Sequence, residues 1–258
     1  MGRLSKLMIN AIFFILMLIL ISPIYGMDIV NVGGYVFPPF IEYADNIYTG
    51  ITLDLIEEMN NFQSKYKFTF VPTSSKRRYK NFENKLYDII LFEGIEWGWK
   101  EENVESTKIF FKGGEVYVTK NFPSKTQSYF DDLKGKKLAI YLGYHYKFAN
   151  FNADEEYLKK NFNAETSLSH IANISKVLNG KADIAVVTKS YLKKYLNENP
   201  QIKKQLLIST KLDQEYNLGI LTRKSSKSSA KELNLILDGL EKSGRLSLLW
   251  EKYGLMSK

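Results

Sequence analysis

Two runs of alternating strand and helix, divided by a strand that restarts after a polar interval, most constrain how this chain can fold. The first run opens with MDIVNVGG (27–34), a short apolar strand ending in glycines. The next segment, GYVFPPF, is a loop, because two prolines exclude a central strand or a helix interior. In GITLDLIEEMNNFQSKY (50–66), Leu55, Ile56, Met59 and Phe62 recur at helical spacing. KFTFVP is a strand halted by Pro72, RRYKNFENKL a helix, and YDIILF (87–92) a buried strand. EVYVTKN (115–121) is a further strand, after which the chain runs polar through Asp131 and Asp132 to DDLKGKKLAIYLG, where a new strand begins.

The second run repeats the first. KKLAIYLG (136–143) is a strand, and YHYKFANF through YLKKNF is mostly helical. LSHIANISKVLNG (168–180) sets Leu168, Ile171, Ile174, Val177 and Leu178 on one helical face and stops at Asn179-Gly180. ADIAVV (182–187) is a buried strand, KSYLKKYLNEN a helix ended by Pro200, and QLLIST and YNLGILTRK are two strands. Residues 230–255 are helical with a break at Ser243-Gly244. Two β-α-β sets predict an α/β protein of two lobes, each a mostly parallel sheet flanked by helices. A ligand site is expected at the carboxyl ends of the strands, where the chain passes between the halves. The 258 residues suffice for two such cores.

Residues 1–26 stand apart. Arg3 and Lys6 precede an uncharged, apolar run that ends at Ser22, Pro23 and Gly26, the pattern of a secretory signal peptide. The run is also long enough for an uncleaved membrane anchor. The chain has no cysteine, which excludes both a lipid anchor on cysteine and disulfides. The net charge is +8, or +6 without Arg3 and Lys6, and its lysines are scattered rather than gathered in a stripe. With an export signal, that balance argues for a solvated surface and against a nucleic-acid partner. Two histidines and no cysteine give no basis for a transition-metal site. No nucleophile elbow, HExxH, P-loop or dinucleotide fingerprint occurs, so neither an enzyme nor a cofactor is expected.

Taken in order, YVFPPF with GITLDLIEEM, YDIILFEG, DDLKGKKLAIYLG, VLNGKADIAVV and LEKSGRLSLLWEKYG resemble the bacterial extracellular solute-binding proteins of the polar amino-acid uptake type. The resemblance implies a two-lobe binder joined by two hinge crossovers. Lobe one would comprise 27–119 with 213–258, and lobe two 120–212. It also implies a periplasmic monomer that carries a small ligand to a membrane importer. The clamp for an α-amino acid departs from that pattern. Counted from Asp88, the positions of the family's Thr and carboxylate-binding Arg hold Trp97 and Lys100. A lysine is a point charge and cannot form the bidentate fork of an arginine. The acid that pairs with the ligand ammonium falls at Thr188, which is neutral, and the loop after the first strand of lobe two reads Gly143-Tyr144-His145-Tyr146. A scaffold kept with its clamp changed implies a small polar ligand, anionic or aromatic-bearing, other than an ordinary α-amino acid, or one held differently.

The candidate ligand-binding residues are Tyr35 and Phe37 beside Pro38-Pro39, with Phe40 weaker; Arg77, eleven residues before Asp88; Glu93, at the end of a strand; Trp97 and Lys100 in EWGWK; Tyr144 and His145; and Thr188. Trp99 and Tyr146 share those loops, and His170, at a helix start, is expected on the surface. Two alternatives to a carrier are a ligand-sensing module for a membrane partner, and a dehydratase or lyase using Glu93 or His145 as general acid.

Overall fold

The computed structural model describes residues 26–99, 103–224 and 226–255. The signal segment expected over 1–26 lies outside them apart from Gly26, and among the described residues no helix is long and apolar enough to cross a membrane.

Strand β1 (Asp28–Gly34) is followed by the hairpin β2 (Glu42–Ala44) and β3 (Ile47–Thr49), then helix α1 (Ile51–Phe62). Gly50 starts that helix at φ 118°, and a Cβ there would stand 2.6 Å from the Phe40 carbonyl oxygen. Both facts require glycine. Leu55, Ile56 and Met59 turn inward at the spacing the sequence predicts, joined by Ile51, whereas Phe62 at the end of the helix is exposed. Strand β4 (Tyr66–Pro72), helix α2 (Arg78–Glu83) and strand β5 (Ile89–Glu93) complete the set. β1 pairs in parallel with β4 from Asp28↔Tyr66 to Gly34↔Pro72, and with β5 at Val32↔Ile89.

After β6 (Val104–Ser106), the ten-residue β7 (Phe111–Lys120) leads to the second set. This comprises β8 (Leu138–Tyr141), α3 (Glu155–Phe162), β9 (Ala164–Ser167), α4 (His170–Leu178), β10 (Ile184–Thr188), α5 (Lys189–Glu198) and the short α6 (Pro200–Lys203). β8 lies between β9 and β10, parallel to both. The chain returns along β11 (Leu206–Arg223) and ends in α7 (Ala230–Lys242) and α8 (Arg245–Lys252). A capping box of Ser229 and Glu232 starts α7, and Gly244 at φ 76° makes the break before α8 that the sequence predicts.

The strand order is β4-β1-β5-β11-β7-β10-β8-β9, with β6 beside β11. Two parallel sets thus flank an antiparallel pair, β7 and β11, and these two strands are the crossovers between the lobes. QLLIST and YNLGILTRK, read as two strands, form the single strand β11. Its polar middle, KLDQE, stays in the ladder with register shifts at Leu212, because β7 offers a partner along nearly its whole length.

Two helical expectations are corrected. YHYKFANF is not an α-helix but a turn of 3-10 helix, Lys147–Ala149, ended by Asn150 and Phe151 at positive φ. Leu168, which precedes α4, and Ile171 within it are exposed, and the buried face of the helix is His170, Asn173, Ile174 and Val177. His170 is therefore interior rather than on the surface, packed against the rings of Tyr141, Tyr144 and Tyr191.

Candidate functional site

Where the carboxyl ends of β1 and β5 meet the turn after β8 and the hinge strands, side chains from both lobes enclose a small cavity. It measures about 10 Å³, close to the space of one water molecule. It adjoins a recess of about 480 Å³ bordered by Lys76, Asp154, Glu155 and Glu156.

Arg78 forms one wall and is 1% exposed. Its guanidinium lies between the rings of Tyr35 and Tyr79, at 4.7 and 4.5 Å from their centroids, in cation–π geometry. Its Nε is 3.5 Å from Glu93 Oε1, and one terminal nitrogen donates to the Ser75 carbonyl. The Nε has no hydrogen-bond partner among the described residues. Glu93, fully buried behind Arg78, accepts from Trp99 Nε1 at 2.8 Å. Burial raises the Glu93 carboxyl above its usual range and the Arg78 charge opposes the rise. Burial likewise raises the Tyr35 hydroxyl, keeping it neutral.

The other walls are aromatic and polar. Phe37 meets Trp97, Tyr144 and Tyr216 edge-on, with centroids 5.2–5.9 Å apart, and Trp97 meets Tyr216 at 5.2 Å. Edge-on contact is a geometry aromatic rings prefer, so these pairs brace one another around the cavity. From the hinge strands come Glu115, Gln214 and Tyr216. Gln214 ties the walls together, because its Oε1 accepts from Trp97 Nε1 at 3.0 Å and its Nε2 donates to Glu115 Oε2 at 2.9 Å and to the His145 carbonyl. His145 Nδ1 lies 2.6 Å from the Phe151 carbonyl and so carries the proton. Its Nε2 lies 2.8 Å from the Tyr79 hydroxyl, a contact across the lobes, and that hydroxyl donates to the Trp97 carbonyl. Burial, and then the Arg78 charge, lowers the His145 pKa to about 4.

Residues 30–256 match the family of bacterial extracellular solute-binding proteins, family 3. The chain belongs to this family. Among the curated proteins no sequence matches it. Its fold is similar to that of an ancestral arginine-binding protein bound to arginine, with TM-score 0.67, 20% identity, 88% of this chain and 99% of that one covered. A variant of ArgBP from T. maritima has TM-score 0.66 and 23% identity, over 88% and 96% of the two chains. The GluR0 ligand-binding core from Nostoc punctiforme, in complex with L-glutamate, has TM-score 0.68 and 19% identity, over 88% and 100%.

Of the residues singled out in the sequence, this family member brings Tyr35, Phe37, Trp97, Tyr144 and His145 together around one cavity. Glu93 is one layer behind, paired with Arg78. Arg77 is exposed, and its neighbour Arg78 takes the interior position. Thr188 is buried 3.3 Å from His170 Nε2 and is not among the residues lining the cavity. Lys100 lies outside the described residues. Phe40, Trp99 and Tyr146 are core residues, and the Tyr146 hydroxyl bonds to the β8 backbone. The sequence reading missed Arg78, Glu115, Gln214 and Tyr216. Arg78 had a signal, since it stands four residues before Phe82 and so shares that apolar helical face.

Proposed function

We propose that the protein is a periplasmic solute-binding protein that captures one small polar, amino-acid-like ligand between its lobes and hands it to a membrane importer. The moving bodies in this reading are 27–119 with 213–258, and 120–212, with β7 and β11 shared as the hinge. The observation that carries it is Arg78, a cation 1% exposed that forms one wall of the cavity both lobes enclose. A guanidinium in that state favours a carboxylate, the group the ligands of the related arginine and glutamate complexes share. The five rings at the cavity suit an apolar or aromatic remainder. Exported-family membership supports a place outside the cytoplasm.

The test is a thermal-shift screen of residues 27–258 against amino acids, small dicarboxylates, aromatic acids, peptides and polyamines. A ligand at about a hundred times its Kd adds about 2.7 kcal/mol, a rise of several degrees. At least one carboxylate-bearing compound should give that rise, Arg78→Ala should abolish it, and the compound should be recovered unchanged. A screen without a shift would reject the reading, and conversion of the bound compound would make the protein an enzyme.

A further inference from the structure

We propose that residues 120–212 dock on an anionic phospholipid surface through an aromatic patch ringed by lysines, at the end of this unit remote from the cavity. The inference goes beyond the solute-binding reading and does not rest on it.

The lysines are scattered along the sequence, yet the net charge of +8 is not shared evenly. Residues 120–212 carry 16 lysines and no arginine against 8 acids, whereas 27–119 with 213–258 carry 18 basic residues against 20 acids. One unit is thus +8 and the other −2. A field of that asymmetry acts beyond single contacts and turns the positive unit toward negative surfaces.

Part of the surplus gathers in the polar interval after β7, NFPSKTQSYFDDLKGKK (121–137). Phe122 there is 44% exposed. Lys120 Nζ and Lys125 Nζ lie 5.5 and 5.3 Å from the centroid of its ring. Lys125 Nζ also stands 4.2 Å from the Tyr129 centroid, and Lys136 Nζ stands 4.8 Å from it. Lys204, which is exposed, borders the patch, because the Asn121 side chain donates to its carbonyl at 3.3 Å. Among the described residues none of these four lysines is ion-paired with an acid. Lys125 donates to the Thr119 hydroxyl and Lys136 to the Asp132 carbonyl. The acids close by are engaged elsewhere: Asp131 pairs with Lys211, and Asp132 and Asp183 accept from the N–H groups of Lys134 and Lys137. The lysines around Phe122 and Tyr129 therefore keep their charge for a partner.

The patch stands away from the cavity. β7 runs antiparallel to β10, with Glu115 beside Thr188 and Val118 beside Ala185. Lys120 thus lies toward the amino end of β10, while the cavity lies at the carboxyl ends of the parallel strands. Docking there leaves the cavity free.

Composition selects the partner. An arginine fork suits a fixed carboxylate or phosphate geometry, and protein interfaces are enriched in arginine and depleted in lysine. Sixteen lysines without an arginine suit a diffuse negative surface instead. The exposed Phe122 ring adds apolar area that a bilayer interface takes up and a soluble polyanion does not. One such ring is too little to build a stable protein interface.

The experiment sediments residues 27–258, so that the apolar run before them cannot contribute, with vesicles of phosphatidylglycerol or of phosphatidylcholine. Phosphatidylglycerol should bind the protein at low salt and phosphatidylcholine should not, and binding should fade as salt screens the charges. Lys120→Gln with Lys125→Gln and Lys136→Gln should weaken binding roughly a hundredfold, at about fivefold per lysine. Phe122→Ala, which leaves the charge untouched, should weaken it roughly threefold or more. Lys159→Gln with Lys160→Gln and Lys189→Gln removes the same charge from exposed positions outside the patch and should weaken it far less. Absence of binding to phosphatidylglycerol, equal binding to both lipids, or equal losses in the two triple variants would overturn the proposal. Retention on heparin without vesicle binding would mean a soluble polyanion and would overturn it as well. If the patch triple variant does not fold, Phe122→Ala decides, and unchanged vesicle binding by that variant would overturn the patch.

Discussion

At the scale of single residues, the Arg78–Glu93 pair decides how the cavity is built. Both side chains are almost fully buried, so each is tolerable only while the other is present. Their environment offsets part of the desolvation, through two ring faces on Arg78 and the Trp99 N–H on Glu93. Removing one partner should be worse than removing both. Arg78→Met should cost about 3–5 kcal/mol in urea denaturation, the usual range for an orphaned buried charge, with the double change Arg78→Met, Glu93→Gln recovering part of it. Arg77→Ala, on an exposed side chain, should move the midpoint little. The contrast explains what was legible here. Three consecutive cations, Lys76 to Arg78, carry no label for which one turns inward; only the phase of the helix leading to Phe82 distinguishes them. Glu115 and Gln214 are 99 residues apart and meet only because β7 and β11 pair, so no local pattern marks them as one site.

At the scale of elements, the hinge pair explains the close approach of two backbones. A Cβ on Gly114 would stand 2.5 Å from the Gln214 carbonyl oxygen and 2.9 Å from a Leu212 methyl. A carbonyl held in a ladder cannot swing aside as a side-chain tip can. Gly114→Ala should therefore spread β7 from β11, lower stability by about 1–3 kcal/mol, and weaken ligand binding because Gln214 loses its hold on Glu115. Chemical denaturation and calorimetry on one sample would separate the two losses, and a variant normal in both would refute the close approach. The strands and helices themselves were largely readable, because apolar periodicity and glycine breaks are local signals. β11 was not, since its polar centre reads as a loop until a partner strand claims it. The inward face of α4 was misread for a related reason. His170 and Asn173 are buried among polar and aromatic neighbours, with Asn173 Oδ1 accepting from Ser167 Oγ at 2.7 Å, so hydrophobicity alone selects the wrong stripe.

At the scale of the molecule, two lobes were readable from the doubled β-α-β pattern, but their closure was not, because its contacts join distant segments. Tyr79 faces His145, Phe37 meets Tyr144, and Lys194 pairs with Glu42 at 2.8 Å. A cavity of about 10 Å³ admits no solute while these hold, so in the proposed reading the ligand enters by opening about β7 and β11. Two cavity groups should couple that opening to pH in opposite senses. His145 falls from 6.5 to about 4 when buried, through desolvation and then Arg78, so the open form takes up the proton and falling pH through that window favours opening. Glu115 rises from 4.5 to about 8, through desolvation and then Asp213, so the closed form holds the proton and rising pH through its window favours opening. Glu93 draws its partners Arg78 and Trp99 from its own lobe, so opening should leave it paired and out of the balance. Where the windows overlap, between pH 4.5 and 6.5, the wild type should change little in radius of gyration without ligand. Glu115→Gln leaves His145 alone and should expand as pH falls below 6.5. His145→Gln leaves Glu115 alone and should expand as pH rises toward 8. Small-angle scattering across this range would read all three, and two variants that respond in the same direction would mean that these groups do not govern closure.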